Sequence, residues 1–197
     1  MIKTLVTGGT GFVGRAITRQ LVEQHETVQV LSRNPLAVPP EQRVPGALYV
    51  KGDILDPQSV AAAMQDCDAI VHCVQFPGAP FENPSKGWTY NNIDGRGTEI
   101  LCEAAQKQNI SRLLYISGAG AGQGRQQPWF QAKDRAEKAI VATGQQWTIL
   151  RPSWIYGPED RSLNRMVDSA RLPIFFPIIG DGQQKVAPVL IDDMAKV

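Results

Sequence analysis

The sequence contains few of the residues that build metal centres or disulfide frameworks. Among its 197 residues are two histidines and three cysteines. The cysteines, Cys67, Cys73 and Cys102, are odd in number and form no CxxC pair. Zinc sites need clustered ligands and disulfide scaffolds use paired cysteines, so we predict no metal site and a reducing, cytoplasmic environment.

Long runs of one charge and long apolar runs are also missing. The formal net charge is +1, and no block of five or six like charges occurs. Nucleic acids and anionic membranes attract such blocks, and a membrane span needs about 20 apolar residues. We therefore expect no nucleic-acid partner and no membrane insertion. Because the first apolar run begins at Ile2, we also expect no signal peptide.

Short β-branched runs alternate with helix-length segments along the chain. Strands are predicted over residues 3–7, 27–31, 48–50, 69–74, 113–117 and 147–150. Asp56 followed by Pro57 marks a helix start, and Gly144 marks the end of a helix predicted over residues 133–143. This alternation predicts an α/β fold with a Rossmann-type, doubly wound parallel sheet.

A glycine-rich turn, Thr7-Gly8-Gly9-Thr10-Gly11-Phe12-Val13-Gly14, joins the first strand to a helix predicted over residues 12–24. In such a turn one glycine permits the tight bend, one lets the backbone approach a pyrophosphate, and one lets helix and sheet pack closely. The helix N-terminus adds amide donors. We predict a dinucleotide whose pyrophosphate lies over Gly8, Thr10, Gly11, Phe12, Val13 and Gly14. The alternative is a plain strand–turn–helix corner.

The end of the second strand indicates which dinucleotide is bound. NAD enzymes place a carboxylate there for the ribose 2′-hydroxyl, but this strand ends in Ser32-Arg33. A guanidinium suits a 2′-phosphate, and Arg15 could assist. NADP(H) is therefore favoured, with NAD(H) as the alternative if Arg33 is only a solvated surface residue.

Three further segments follow predicted strands. Asp53, beside Ile54 in Gly52-Asp53-Ile54-Leu55-Asp56, is a candidate acceptor for the adenine amino group, or alternatively a helix cap. The proline-rich loops 34–46 and 75–87 are candidate rims of the cofactor cleft, because ligands of open α/β sheets bind at the carboxyl ends of the strands.

The glycine turn, the GDILD segment at 52–56, the RPSWIYGP segment at 151–158 and the closing PVLIDDMA at 188–195 together resemble the extended and atypical short-chain dehydrogenase/reductases. The resemblance covers nearly the whole chain. Within that superfamily it is most similar to the atypical branch that contains the nucleotide-binding accessory subunit of respiratory complex I and bacterial epimerase/dehydratase-like proteins.

The resemblance implies a catalytic tyrosine four residues before a lysine that binds the nicotinamide ribose. Lys133 matches the lysine, but Trp129 occupies the tyrosine position, and an indole has no exchangeable proton at useful pH. Ser117 is the candidate for the family's substrate-binding serine, with a backbone role as the alternative. Asn91 and Asn92 receive no catalytic role. Tyr115 is expected to be structural, and His72 is expected to form neither a metal site nor a catalytic triad.

The resemblance also implies that the family continues beyond Val197. We assign residues 1–152 to the NAD(P)-binding domain and residues 153–197 to the start of a substrate-binding part that we expect to be incomplete.

Three functions remain open. The first is an NADP(H)-binding, weakly catalytic or non-catalytic member of this superfamily. The second is an epimerase, dehydratase or reductase acting on a nucleotide-sugar-like substrate, suggested by Tyr156-Gly157-Pro158 and Gly180-Asp181-Gly182. The third is a module that binds a partner protein and is stabilised by its nucleotide.

Overall fold

A six-stranded parallel sheet forms the centre of the molecule in the computed structural model, which describes residues 2–171, 181, 183 and 185–196. The strand order is β3-β2-β1-β4-β5-β6. The strand bounds are β1 Lys3–Thr7, β2 Thr27–Ser32, β3 Leu48–Lys51, β4 Ala69–His72, β5 Arg112–Ile116 and β6 Gln146–Leu150. This order confirms the predicted Rossmann-type doubly wound sheet, with its topological switch between β1 and β4.

Helices cover both faces of the sheet. Their bounds are α1 Phe12–Glu23, α2 Pro57–Ala63, α3 Gly97–Lys107, α4 Pro128–Val141, α5 Arg161–Ala170 and α6 Ile191–Lys196. A π-helical segment, Tyr90–Arg96, leads directly into α3. Short 3₁₀ turns occur at Pro35–Ala37, Pro40–Gln42 and Pro84–Lys86.

The ends of these elements follow local chemistry. Asp56 caps α2 by accepting from the amides of Gln58 and Ser59 at 3.1 and 3.3 Å, and Pro57 takes the first helical position. Gly144, with φ of 70°, follows the end of α4. That helix begins at Pro128 rather than at the predicted residue 133, because proline is well suited to a first helical turn.

The core has two layers because successive side chains of a strand point to opposite faces of the sheet. Leu5 of β1 packs with Met64 and Leu101 on the side of α2 and α3. Its neighbour Val6 packs with Val30 and Met194 on the side of α1 and α6. The parallel strands are consequently buried on both faces.

The chain beyond residue 152 is joined to this core. β7 (Ile155–Tyr156) pairs in parallel with β8 (Val189–Leu190), and α6 then packs on α1 through the buried Met194. The boundary after residue 152 stays a prediction. Of the segment at 180–182, Gly180 and Gly182 lie outside the described residues. None of the described helices combines the length and the apolar character that a bilayer span requires.

Candidate functional site

The glycine turn is built by contacts that leave no room for side chains. A Cβ on Gly8 would lie 2.6 Å from the carbonyl oxygen of Cys73, and Gly8 has φ of 74°. A Cβ on Gly14 would lie 2.3 Å from the carbonyl oxygen of Gly8. β4 ends at His72 and not at residue 74 as predicted, and the carbonyl group of the next residue, Cys73, lies against Gly8.

Gly11 differs from the other two glycines. Its φ of −86° suits any residue, and a Cβ there would approach only the carbonyl oxygen of Gly8, at 3.3 Å. Packing within the protein therefore requires a glycine at 11 less than at 8 or 14. Gly11 also begins α1 without a side-chain cap, and the first turn of α1 holds no acidic residue. This open helix start fits an anionic pyrophosphate.

A cleft of about 920 Å³ extends from this turn across the carboxyl ends of β1, β2 and β4. It lies at the topological switch, where ligands of this fold bind. Its wall contains all the predicted cofactor residues except Lys133, namely Gly8, Thr10, Gly11, Phe12, Val13, Gly14, Ser32, Arg33, Asp53 and Ile54. Parts of both predicted rim loops, residues 37–39 and 75–79, also line it.

Arg33 lies in the cleft wall just after the end of β2. Its guanidinium carbon lies 5.9 Å from the centre of the Trp88 ring, which also lines the cleft. No ion-pair partner of Arg33 occurs among the residues that the structure describes. Arg15, by contrast, forms an ion pair with Glu159 and lies outside this cleft.

Asp53 forms part of the cleft wall through a turn of its own. Its Oδ1 accepts from the amide of Leu55 at 2.9 Å, and its amide donates to Ser59 Oγ at 3.0 Å. The helix-capping role that the sequence left open for Asp53 is taken by Asp56. The adenine contact of Asp53 stays a prediction.

A second pocket, of about 490 Å³, adjoins the cleft at the carboxyl ends of β4 and β5. The two share Phe12, Val13 and Cys73 in their walls. Lys133, Ser117 and Trp129 all line the second pocket. These three residues, which the sequence analysis had singled out, therefore lie together beside one end of the cofactor cleft.

Lys133 is held by three oxygen atoms of the protein. Its Nζ lies 3.0 Å from Asp94 Oδ1, 3.1 Å from Tyr115 Oη and 3.5 Å from the carbonyl oxygen of Ile116. Lys133, Asp94 and Tyr115 are at most 5% exposed. Apart from the ion pair with Lys133, neither side-chain oxygen of Asp94 has a partner in the described part of the chain. The ammonium is consequently paired inside the protein.

The charges of this trio follow from burial and proximity. Burial alone would lower the pKa of Lys133, but Tyr115 and Asp94 outweigh it and raise that pKa. Burial also raises the pKa of Tyr115, against the opposing effect of Lys133, so the phenol remains protonated. Burial raises the pKa of Asp94, while Lys133 acts to lower it. Lys133 is therefore a charged, fixed cation.

A chain of hydrogen bonds connects this trio to the glycine turn. Thr98 donates its hydroxyl to the Asp94 carbonyl oxygen and contacts His72 Nε2 at 2.8 Å. Since the Thr98 proton is used in this way, its oxygen accepts from Nε2–H, and His72 Nδ1 accepts from Thr7 Oγ1 at 2.6 Å. Burial, aided by Lys133, lowers the pKa of His72 to about 3. The imidazole is neutral.

Ser117 is engaged by a second ionic cluster. Its hydroxyl donates to Glu137 Oε1 at 2.6 Å, and Arg151 donates to both oxygens of Glu137 at 2.9 and 2.5 Å. Burial alone would raise the pKa of Glu137, but the hydrogen bonds from Arg151 and Ser117 lower it. The substrate-binding role of Ser117 stays a prediction, with its hydroxyl proton donated within the protein.

Trp129 fills the place where the family resemblance puts a tyrosine. A Cβ on Gly118 would lie 2.4 Å from Trp129 Cη2, so the indole rests directly on the loop after β5. Asn91 accepts from Arg135 at 2.7 Å, and Asn92 donates to the Gly87 carbonyl oxygen at 3.3 Å. The side chains that contact Lys133 Nζ are those of Asp94 and Tyr115.

Sequence reasoning missed Asp94 and Glu137 and treated Tyr115 as structural only. The available signal was spacing: Asp94 stands four residues before Thr98, and Glu137 four residues after Lys133. The π-helical geometry of Tyr90–Arg96 obscured the first of these, because it changes which side chains share a face.

Comparisons with known proteins identify the family of this chain. The profile of an NAD(P)H-binding family matches residues 8–173. The 2-alkyl-3-oxoalkanoate reductase of Stenotrophomonas maltophilia is 33% identical over 216 residues, covering 98% of this chain and 63% of the reductase. NADH dehydrogenase [ubiquinone] 1 alpha subcomplex subunit 9 of Arabidopsis thaliana is 29% identical over 199 residues, covering 98% of this chain and 48% of that subunit.

Solved structures show the same fold. UDP-glucuronic acid 4-epimerase from Bacillus cereus, in complex with UDP-glucuronic acid and NAD, superposes with a TM-score of 0.79 at 21% identity, covering 99% of this chain and 71% of the epimerase. The curated relatives are thus longer than this chain, which spans 63% and 48% of the two named above. The predicted resemblance is confirmed: the chain belongs to the NAD(P)H-binding family whose profile it matches, and it has the same Rossmann fold as the solved epimerase.

Proposed function

We propose that this chain binds NADP(H) in preference to NAD(H) and holds it without the tyrosine–lysine proton transfer of its relatives. One observation carries the proposal: an open cofactor cleft adjoins a pocket whose lysine is already paired inside the protein. Lys133 Nζ is within 3.5 Å of oxygens from Asp94, Tyr115 and Ile116. The site can therefore bind a dinucleotide although its lysine is not free to assist proton transfer.

The phosphate preference rests on Arg33. The guanidinium stands at the cleft wall beside Trp88, without a carboxylate partner among the described residues. The 2′-phosphate of NADP(H) supplies acceptors that match its planar donors. When bound, the nicotinamide supplies hydride chemistry. Gly11 and the start of α1 hold the pyrophosphate, and Phe12 and Val13 line both pockets.

The absence of proton transfer rests on position 129. The Trp129 indole can donate a hydrogen bond but has no proton to exchange at neutral pH. Tyr115, which does contact Lys133, is 1% exposed and has its pKa raised by burial. The phenol therefore lies below the surface of the pocket, where a substrate does not reach it.

Calorimetric titration of the 197-residue chain, with NADPH and separately with NADH, tests the cofactor preference. We expect NADPH to bind more tightly than NADH. Arg33→Ala should weaken the binding of NADPH by about 10- to 100-fold, since hydrogen bonds to charged groups contribute about 1.5–3 kcal/mol. NADH binding should hardly change. Arg19→Ala, an exposed arginine of α1 outside the cleft, is the control. Equal affinities for NADPH and NADH in the wild type would disprove the preference.

A second candidate function, reduction of a carbonyl substrate, is favoured by the reductase relative that is 33% identical. It requires a proton donor other than Trp129. Incubating the chain with NADPH and a 2-alkyl-3-oxoalkanoate, and following the nicotinamide absorbance, separates the two candidates. Substrate-dependent oxidation of NADPH at a rate that Trp129→Phe and Tyr115→Phe leave unchanged would establish a reductase with another donor.

A third candidate, a partner-binding module, draws support from the relative named as a subunit of NADH dehydrogenase. Co-purification of a defined protein complex, stabilised by NADPH and lost with Arg33→Ala, would support it. We also retain the cytoplasm as the proposed location, because all three cysteines are free thiols and two of them are buried. Fractionation of cells that express the native protein tests the location.

A further inference from the structure

A small hairpin of residues 83–88, here called the Trp88 hairpin, stands beside the part of the cleft that contains Arg33. The Asn83 amide donates to the Trp88 carbonyl oxygen at 2.8 Å, and the Trp88 amide donates back to the Asn83 carbonyl oxygen at 3.0 Å. Gly87, with φ of 69°, closes the turn in the left-handed region. Lys86 and Trp88 are therefore fixed relative to each other.

The hairpin brings two cations to one aromatic ring. Lys86 Nζ lies 4.8 Å from the centre of the Trp88 ring, and the guanidinium carbon of Arg33 lies 5.9 Å from the same centre. Trp88 is partly buried against the core and also lines the cofactor cleft. The ring thus connects a residue of the β2 end with a residue of the hairpin, which are separated by more than 50 positions in the chain.

No carboxylate neutralises these two cations among the described residues. Glu82, the acidic residue closest to the hairpin in sequence, is used elsewhere, since its Oε1 accepts from the Tyr90 amide at 2.7 Å. Two like charges near one ring repel each other, and cation–π contact and solvent screening offset that repulsion in part. An anion placed between them would remove the conflict.

We propose that Lys86 and Trp88 complete the 2′-phosphate site, with Lys86 as a second phosphate-binding cation and Trp88 as the aromatic wall that holds both cations in place. The inference rests on the proposed NADP(H) preference and extends it to the loop after β4. The ligand class is an adenosine 2′-phosphate. Specificity then depends on two separate segments of the chain, the β2 end and the Trp88 hairpin.

The experiment compares adenosine 2′,5′-bisphosphate with adenosine 5′-monophosphate, because the ratio of their affinities isolates the 2′-phosphate. We expect a bisphosphate preference in the wild type. Lys86→Ala should reduce the ratio by about 3- to 10-fold and Arg33→Ala by about 10-fold or more, since a point charge forms fewer directed bonds than a guanidinium. Lys86 is exposed, so the variant should fold, and its melting temperature without ligand checks this.

Lys107→Ala, at an exposed position in the last turn of α3, is the charge-matched control and should keep the wild-type ratio. Trp88→Leu should reduce the ratio as well, because both cations lose their common wall. If Arg33→Ala reduces the ratio while Lys86→Ala keeps it, or lowers both affinities equally, the role of the hairpin is refuted and the proposed function stands. If the wild type binds both probes equally, the proposed NADP(H) preference itself fails.

Discussion

At the scale of single residues, the arrangement around Lys133 is the main departure from the family pattern. A buried ammonium is stable only with a counter-charge, and Asp94 supplies it at 3.0 Å. The sequence predicted Lys133 as a catalytic and cofactor-binding residue and gave no partner for it; that role stays a prediction, and the structure places Lys133 in the wall of the second pocket. The partner lies on a π-helical segment, where counting by helical turns does not identify neighbouring side chains.

Removing only one member of this pair should be costly. We expect Asp94→Asn to lower the free energy of unfolding by about 3–5 kcal/mol, because an uncompensated ammonium stays buried. The double variant Asp94→Asn with Lys133→Met should lose less than the sum of the two single variants. Urea unfolding of all four proteins measures the coupling. Additive losses would mean that the two charges do not interact.

The glycines of the turn should separate into structural and ligand-facing positions. Gly14→Ala places a Cβ 2.3 Å from a backbone oxygen, so we expect a marked loss of thermal stability without ligand. Gly11→Ala meets only a 3.3 Å contact, so it should melt close to the wild type yet bind NADPH at least about 10-fold more weakly, because its methyl group occupies the pyrophosphate side of the turn. Equal NADPH affinity in Gly11→Ala and the wild type would contradict this assignment.

At the scale of elements, most of the fold could be predicted because each strand is short, β-branched and bounded by turn residues. β1 was predicted with its observed limits, and β2, β3 and β6 differ from the prediction by one residue at one end. β5 is shifted by one residue at both ends, from the predicted 113–117 to Arg112–Ile116. Where the prediction differed further, the limit lies at a tertiary contact. β4 stops at His72, the next residue packs against Gly8, and such a contact is not visible in sequence.

The connection between α4 and the end of β6 is the element-scale feature that the sequence did not predict. Glu137 of α4 accepts hydrogen bonds from both Arg151 and Ser117. We expect Glu137→Gln to lower the free energy of unfolding by about 1–3 kcal/mol, because a nearly buried charged acceptor is lost. Asp168→Asn, which removes an exposed ion pair with Arg171, should change it by less than about 1 kcal/mol. Similar effects of the two substitutions in urea unfolding would argue against an anchoring role for Glu137.

At the scale of the whole molecule, stability should depend on pH through His72. Its pKa is about 3 in the folded chain, below the ordinary value of 6.5, because burial disfavours the charged form. Above pH 6.5 the imidazole is neutral in both states. Between 6.5 and 3 only the unfolded chain takes up the proton, so His72 stabilises the fold above 6.5 and this stability is lost as the pH falls.

The expected slope for this single group is about 1.4 kcal/mol per pH unit below pH 6. Urea unfolding between pH 7 and pH 5 should show a shallower pH dependence for His72→Asn than for the wild type. That variant should also be less stable at pH 7, since Thr7 and Thr98 lose their partner. His25→Asn, at an exposed position, controls for the loss of a histidine. Parallel curves for His72→Asn and the wild type would rule out His72 as the titrating group.

The rate at which each of the three thiols reacts should report on the structure around it. Burial raises the pKa of Cys67, and it raises those of Cys73 and Cys102 to about 12, so almost no thiolate exists at neutral pH in the closed fold. Cys73 also donates to the Thr7 carbonyl oxygen at 3.0 Å, beneath the glycine turn. Alkylation of the buried Cys67 and Cys102 should therefore wait for local opening of their surroundings, whereas Cys73 lies in the wall of the cleft. A bound dinucleotide should slow the alkylation of Cys73 most, so the opening of the cleft can be measured at a single residue.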